Sequence, residues 1–444
     1  MVDQRVRRLF AARDTAQGDD LFGEYELIKS GEPAYRAPVK RVAVLTEAFL
    51  PKVDGVSKTT YLTIRYLQQT GREVLVFAPD TAVPRVGPSE VVALPSISIP
   101  RAPETRMALP HPLIMRRLEA FKPDLIHLAS PALMTVSGMA AGHHLGVPVV
   151  ANYQTDLPGY AVHYGTPMLS APIRNWLRYL HNGCHINLVP THRVQNELHS
   201  AGFRRLRIWG RGVNIERFNP SNATTSMRAR LLNGRDPNSV LMIYVGRLAN
   251  EKRVDDLIGV TRVPGVALTI IGDGAMREPL ETLFAGTNTF FTGYMVGEEL
   301  SEAFASADAF IFPGPNETFG QVIQEAMASG LPVIVTREGA ASDHIQEGVT
   351  GFICDHHPAA FAQAARRLVE NPTLRLQMGY QARAYAEMRP WSSIMSQLEN
   401  HYQEALKRNT RFSRLFGPSF YTNHFAIGAR LTRLRRDTFS VKSA

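Results

Sequence analysis

Short, almost wholly apolar runs recur along the chain, separated by longer stretches with helical spacing. The first is Arg41-Val-Ala-Val-Leu-Thr46, followed by runs at 73–77, 124–128, 147–151 and 185–189. Runs of this kind suit strands buried on both faces of a parallel sheet. Between the first two, residues 57–69 read as a helix with Ser57 as its cap and Gly71 as its stop. The alternation pauses near Gly210-Arg-Gly-Val-Asn214 and the polar stretch 219–225, then restarts with runs at 240–245, 266–271, 289–292, 309–312 and 332–336. Strands alternating with helices predict a doubly wound parallel sheet. Two such series predict an α/β protein of two Rossmann-like domains facing across a cleft. The expected divisions are an N-terminal extension (1–38), a first domain (39–212), a second domain (213–390), a closing helix (391–410) and a tail (411–444).

Composition agrees with that division. A chain of 444 residues is too long for one ordinary core. Hydrophobic residues make up 44% and charged residues 20%, as in soluble globular proteins. No apolar run approaches the roughly 18 residues that span a bilayer. Residues 1–14 are basic with no apolar stretch behind them, which predicts no secretory signal. Cys184 and Cys354 stand far apart and suit a reducing compartment, so the expected location is cytoplasmic. The net charge of +9 is uneven: from Arg411 to Ala444 seven Lys/Arg face one acid, Asp437. There the arginines are interleaved with Phe412, Leu415, Phe416, Phe420, Tyr421 and Phe425. This pattern fits an anionic membrane surface better than nucleic acid, for which no recognition motif is present.

Ligands of open α/β sheets bind at the carboxyl ends of strands, so the residues just after each run carry the chemistry. After Val245 comes Gly246-Arg-Leu-Ala-Asn-Glu-Lys252. Arg247, by its planar fork, and Lys252, as a point charge, suit a diphosphate; they also suit a solvated loop. After Ile271, Gly272-Asp-Gly274 allows close approach of a ligand or makes a tight turn, and lacks the third glycine of a dinucleotide fingerprint. After Phe312 comes Pro313-Gly-Pro-Asn-Glu-Thr-Phe-Gly320, then a helix over 321–329 stopped by Gly330. Glu317 lies in that loop and Glu325 lies on the helix. The amides of Thr318, Phe319 and Gly320 sit at a helix N-terminus, where hydroxyls and anions are well received. The fourteen histidines are scattered. His143-His144 and His356-His357 are adjacent pairs that share no helix face, so no metal is expected.

Asn316-Glu-Thr-Phe-Gly-Gln-Val-Ile-Gln-Glu-Ala-Met-Ala-Ser-Gly-Leu-Pro-Val333 resembles the signature of glycosyltransferase family 4, with its GT-B fold. The resemblance covers roughly residues 41–400. It implies an enzyme moving a hexosyl group from a nucleotide-diphosphate sugar, with retention, to an acceptor hydroxyl. Carried over, Glu317 faces the donor sugar, whose hydroxyls meet the amides of Phe319 and Gly320. Glu325 holds the ribose. Gly246-Arg247 and Lys252 stabilise the leaving diphosphate, and the backbone at Tyr294-Met295 meets the base. In the first domain, Thr46-Glu-Ala-Phe-Leu-Pro-Lys-Val-Asp-Gly-Val-Ser57 is also similar to the family, with the Gly55 amide aimed at the distal phosphate.

Many relatives carry a histidine beside the donor sugar where this chain has Gln154, which hydrogen-bonds but transfers no proton at neutral pH. Asp156 is then the nearest titratable candidate for guiding the acceptor. His163-Tyr-Gly165, His181-Asn182 and Arg211-Gly-Val-Asn214 resemble a lipid-directed branch that makes glycolipids. For that branch GDP-mannose is the favoured donor; a UDP-sugar feeding sulfoquinovosyl or glucosyl transfer to diacylglycerol is the alternative. The basic, aromatic segment 172–180 either dips into a membrane or packs on the first domain with its arginines in water. The rival of another class is a non-catalytic nucleotide-sugar binding protein. With no metal or other cofactor called for, the implied picture is a cytoplasmic enzyme peripheral on the inner face of the cell membrane.

Overall fold

The computed structural model describes residues 25, 27–28, 39–50, 54–79, 83–99, 102–130, 133–163 and 165–416. Of these, the side chains of 99, 102–105, 163 and 411–416 are not described. Most of the expected extension and the tail beyond Phe416 lie outside that set.

Sixteen strands are present among the described residues. In the first half they are β1 (Arg41–Leu45), β2 (Glu73–Pro79), β3 (Arg85–Val86), β4 (Ser89–Leu94), β5 (Ser96–Ile99), β6 (Ala102–Ala108), β7 (Leu125–Leu128), β8 (Val149–Asn152), β9 (Ile186–Val189) and β10 (Leu206–Ile208). In the second half they are β11 (Val240–Val245), β12 (Val266–Ile271), β13 (Thr289–Gly293), β14 (Ala309–Phe312), β15 (Val333–Thr336) and β16 (Gly351–Cys354). The apolar runs predict β11, β12 and β14 to the residue. Alternating or short segments such as β4 and β10 carry no such run, and neither does the separate β5–β6 hairpin.

The first sheet has the order β10-β9-β8-β7-β1-β2-β4-β3, parallel except for β3. The second has the order β13-β12-β11-β14-β15-β16, wholly parallel. The second is the doubly wound order in which the chain starts at the centre, runs to one edge, then returns to build the other side. Its strand order reverses between β11 and β14, the switch point beside which open α/β sheets bind ligands. In the first sheet the same reversal falls between β1 and β7. Each sheet is buried on both faces, as its apolar runs require: Val42, Val44 and Val76 face one core, and Ala43, Leu45 and Phe77 the other.

The expected closing helix runs from Trp391 to Phe416 and packs on the first sheet, not the second. Trp391, Met395, Leu398, Tyr402 and Ala405 share its inward face. Their spacing of three and four residues is that of one helix side. Polar partners fix its register: Glu399 pairs with the buried Arg72 at 2.8 Å, and the Tyr402 hydroxyl lies 2.6 Å from Nδ1 of His127. To reach that helix the chain crosses between domains beside its first crossing, with the Val213 amide donating to the Arg389 carbonyl at 3.0 Å.

Candidate functional site

The loops that leave β11 and β14 meet across the second sheet's reversal point. Lys252, ending the short turn Asn250–Lys252, donates from Nζ to Oε1 of Glu317. Arg247 pairs with Glu251, which is buried, and the Tyr244 hydroxyl donates to the Arg247 carbonyl at 3.1 Å. The glycines of these loops are set by main-chain packing. At Gly272, with φ +143°, a Cβ would meet the Gly246 carbonyl oxygen at 1.9 Å. Gly272 therefore lets two strand ends lie against one another, the tight-turn reading of Gly272-Asp-Gly274. Tyr294, half exposed, and buried Met295 follow β13, with the Tyr294 hydroxyl 3.4 Å from the Asp273 carbonyl.

Gly320 takes φ +82° and caps the helix Gln321–Ala328, so the chain turns sharply from Glu317 into that helix. Phe319 is buried edge-on to His344, whose Nε2 lies 2.6 Å from the Phe319 carbonyl. Burial holds the His344 imidazole down at about 4, so it is neutral and donates to that carbonyl. The Ala340 amide donates to the Glu317 carbonyl at 3.0 Å. The segment 339–344 thus braces the loop from behind, a role that nothing in its sequence announces.

The first domain reaches the same place. Its helix Gly55–Gln69 is capped by Asp54, not by Ser57: the Asp54 carboxylate accepts from the Ser57 amide at 2.8 Å and the Ser57 hydroxyl at 3.0 Å. The acidic side chain outcompetes the hydroxyl because it accepts from two donors at a positive helix end. Gly55 is the first helical residue, and among the described residues no atom lies within 4 Å of where its Cβ would be. One turn on, Lys58 crosses the cleft to Oε1 of Glu325 at 2.6 Å. Nothing in the sequence marks Lys58, since its partner lies 267 residues away. Gln154, after β8, is buried, and its carbonyl accepts from the Thr318 hydroxyl at 2.7 Å. The departing position thus lies directly on the Glu317 loop. Asp156 is engaged locally: its Oδ1 accepts from the Gly159 amide at 3.2 Å, within the helix Leu157–His163.

Glu47, just after β1 at the first sheet's reversal point, is a buried carboxyl the sequence did not single out. Its Oε1 accepts from the Met134 amide at 2.5 Å, and its Oε2 has no hydrogen-bond partner among the described residues. Burial pushes its pKa up to about 8 from 4.5. The folded state therefore holds this proton more tightly than the unfolded chain does. Stability falls by about 1.4 kcal/mol per pH unit as pH rises through the window from 4.5 to 8. Glu47→Gln removes that slope, so its unfolding temperature should gain on the parent's steadily from pH 5 to pH 8. A difference that stays constant across that range would exclude the buried proton.

Among the described residues no group of three or more His, Cys, Asp or Glu could hold a metal ion, and no helix is long and apolar enough to cross a membrane.

Residues 229–385 match the family described as Glycosyl transferases group 1, and residues 53–217 match Glycosyltransferase Family 4. A GDP-mannose-dependent alpha-mannosyltransferase of Mycobacterium tuberculosis (strain CDC 1551 / Oshkosh) is 38% identical over 379 residues, covering 83% of this chain and 98% of the relative. Sulfoquinovosyl transferase SQD2 of Arabidopsis thaliana is 35% identical over 387 residues, covering 84% of this chain and 75% of the relative. Among solved structures, Anabaena Alr3699/HepE in complex with UDP superposes with a TM-score of 0.65 at 18% identity, over 82% of this chain and 99% of that one. WaaG, a glycosyltransferase involved in lipopolysaccharide biosynthesis, gives 0.62 at 16% identity, over 80% and 98%.

Proposed function

The chain belongs to glycosyltransferase family 4, with the GT-B fold, and from that membership we propose that it moves a mannosyl group, with retention, from GDP-mannose to a hydroxyl of a membrane glycolipid. The observation that carries the transfer reading is the Lys252–Glu317 pair at the reversal point, with the helix that begins at Gly55 held to the same cleft by Lys58–Glu325. A cation for the diphosphate, a carboxylate for the sugar and an anion-accepting helix end converge there. The mycobacterial relative supports mannose and guanine.

In this reading the acceptor oxygen bonds to the sugar's anomeric carbon on the face from which the diphosphate oxygen departs. The acceptor's proton passes to that departing oxygen. No side chain need be the base, which suits a site with Gln154 in place of a histidine. Arg247, Lys252 and the Gly55 amide stabilise the growing charge on the diphosphate, the role that fixed donors fill best. Glu317 and the amides of Thr318, Phe319 and Gly320 orient the sugar, and Glu325 holds the ribose. The loops carrying Gly246, Gly272, Tyr294 and Met295 bound the nucleotide. Asp156, through its turn, shapes the acceptor side.

The acceptor reading draws on the surface. On the helix Ser170–Gly183, Leu177 and Leu180 point inward, while Trp176 and Tyr179 stack at 6.2 Å and are 44% and 64% exposed, beside exposed Arg174 and Arg178. Met168, on the turn before it, is 80% exposed. Aromatic rings flanked by arginines suit the interface of an anionic bilayer, which supports a peripheral location on the inner face of the cell membrane. A second reading, sulfoquinovosyl or glucosyl transfer from a UDP-sugar, is supported by the likeness to the Arabidopsis relative.

Incubation with GDP-mannose, UDP-glucose and UDP-sulfoquinovose over lipid acceptors separates the two by product mass and anomer. Turnover of GDP-mannose to an α-mannolipid is expected; its absence with every acceptor while a UDP-sugar turns over would transfer the assignment to the second reading. On vesicles containing phosphatidylglycerol, Trp176→Ala/Tyr179→Ala and a chain ending at residue 410 should each bind more weakly than the parent. Equal binding by all three would remove the membrane from the proposal.

A further inference from the structure

Among the described residues, three cations of the cleft carry a carboxylate: Lys58 with Glu325, Arg247 with Glu251, and Lys252 with Glu317. Arg211, on the first crossing between domains, does not. It is 5% exposed. Its Nη1 donates to the carbonyls of Trp209 at 3.2 Å and Gly210 at 3.0 Å, and its Nη2 donates to Oε1 of Gln154 at 2.7 Å. The guanidinium lies over the rings of Trp209 and Phe319, with its carbon 5.1 and 5.9 Å from their centroids. Carbonyls, an amide oxygen and ring faces thus solvate this charge in place of a counter-ion. Burial lowers its pKa to about 9, which leaves it charged at neutral pH.

This arrangement removes all freedom from Gln154. A guanidinium only donates and a carbonyl only accepts. Oε1 must therefore face Arg211, and Nε2 must face the Ala129 carbonyl, 2.5 Å away. One Nε2 hydrogen remains. The backbone of the same residue is tied to Thr318, so this amide sits on the loop that carries Glu317 and Phe319.

We propose that Arg211 is a positioning residue that, by holding Oε1 of Gln154, presents the remaining Gln154 N–H as a fixed, non-titrating donor to an oxygen of the bound nucleotide sugar. This rests on the nucleotide-sugar reading of the site. Without Arg211 the amide would be held by the Ala129 carbonyl alone, and each flip would present its oxygen to the same ligand atom. A buried arginine also explains why no titrating group occupies the position: a second positive charge beside an unpaired guanidinium is disfavoured.

The test uses the full chain, with transfer kinetics and GDP affinity measured separately. Arg211→Met should lower kcat on the order of 10- to 100-fold, within the usual range for losing one oriented polar contact. GDP affinity should stay within about twofold, because the groups assigned to the diphosphate and the ribose are left in place. Arg211→Lys keeps a cation and a donor and should recover most of that loss. Should Arg211→Met fail to fold, Gln154→Glu decides. It gives Arg211 a carboxylate but sets the other oxygen against the Ala129 carbonyl, and kcat at pH 7.5 should fall about 100-fold or more as the donor becomes an acceptor. The protonated carboxyl carries a single O–H, which the Ala129 carbonyl takes, so toward acid the unfolding temperature should recover while kcat stays low. A kcat within twofold of the parent in Arg211→Met or Gln154→Glu, or a Gln154→Glu kcat that recovers together with the unfolding temperature toward acid, would overturn the role. Failure of the parent to bind any nucleotide would instead remove the underlying reading of the site.

Discussion

Lys252→Ala is expected to lower kcat/KM for sugar transfer on the order of 1,000-fold, and Glu317→Ala on the order of 100- to 1,000-fold. The two should differ in where the loss appears. Lys252 is assigned to the diphosphate, so its removal should weaken GDP binding as well as slow transfer. Glu317 is assigned to the sugar, so Glu317→Ala should bind GDP nearly as the parent does and lose its effect in kcat. Because the two side chains pair directly, each single variant also strands a charge at 13% or 23% side-chain exposure. Removing one partner of such a pair costs up to about 3–5 kcal/mol, less where water reaches it. The double variant strands neither charge. Its unfolding temperature should lie above both singles, while its activity should be no better than the worse of them. That divergence separates a loss of chemistry from a loss of folding. Parent-like turnover in both single variants would remove Lys252 and Glu317 from the site.

Charge pairing in the cleft has a physical reason in the empty enzyme. A lysine placed to grip a diphosphate would otherwise be a half-buried, unpaired cation. Glu317 and Glu325 neutralise Lys252 and Lys58, and both carboxylates are themselves the groups assigned to sugar and ribose. On the proposed assignments, donor binding would exchange internal pairs for contacts to the ligand. Part of the binding free energy is spent in that exchange, and specificity for a donor that satisfies both halves follows from it.

The sequence made the local features legible. Fully buried strands such as β11 and β14 announce themselves because both faces are apolar, and the glycine-marked turns after them fall where ligands bind. The Asn316–Val333 signature located Glu317 and Glu325. What stayed hidden depends on distance along the chain. Lys58, Arg211 and Glu47 occupy ordinary positions in sequence and become distinctive only through partners brought together by the fold. Asp54 displaced Ser57 as the helix cap because two plausible caps lay three residues apart, and only geometry chooses between them. Gly339 belongs to the same class as Lys58: its requirement comes from Pro315, across a loop.

Gly339→Ala should be the most disruptive small change outside the signature. Gly339 takes φ +75°, a conformation that costs a residue with a Cβ on the order of 1 kcal/mol or more. Here the added carbon would also meet the Pro315 carbonyl oxygen at 1.8 Å. That contact is impossible, so the 313–320 loop or the 339–344 segment must move by more than 1 Å. The two are tied at Ala340–Glu317 and His344–Phe319, so movement of either shifts the main chain that aims Glu317 and the Phe319 amide. Misplacement on that scale typically costs on the order of 100-fold in rate. Overpacking plus strain should lower stability by about 2–4 kcal/mol. Gly348→Ala is the matched control: φ is also +75°, but no atom lies within 4 Å of the added carbon, and the residue lies outside the cleft. It should lose about 1 kcal/mol of stability and keep parent kcat/KM. Stopped-point transfer assays and thermal unfolding on the two variants give the comparison. If Gly339→Ala lost no more activity than Gly348→Ala, the 339–344 segment would be a neighbour of the donor loop and not its brace.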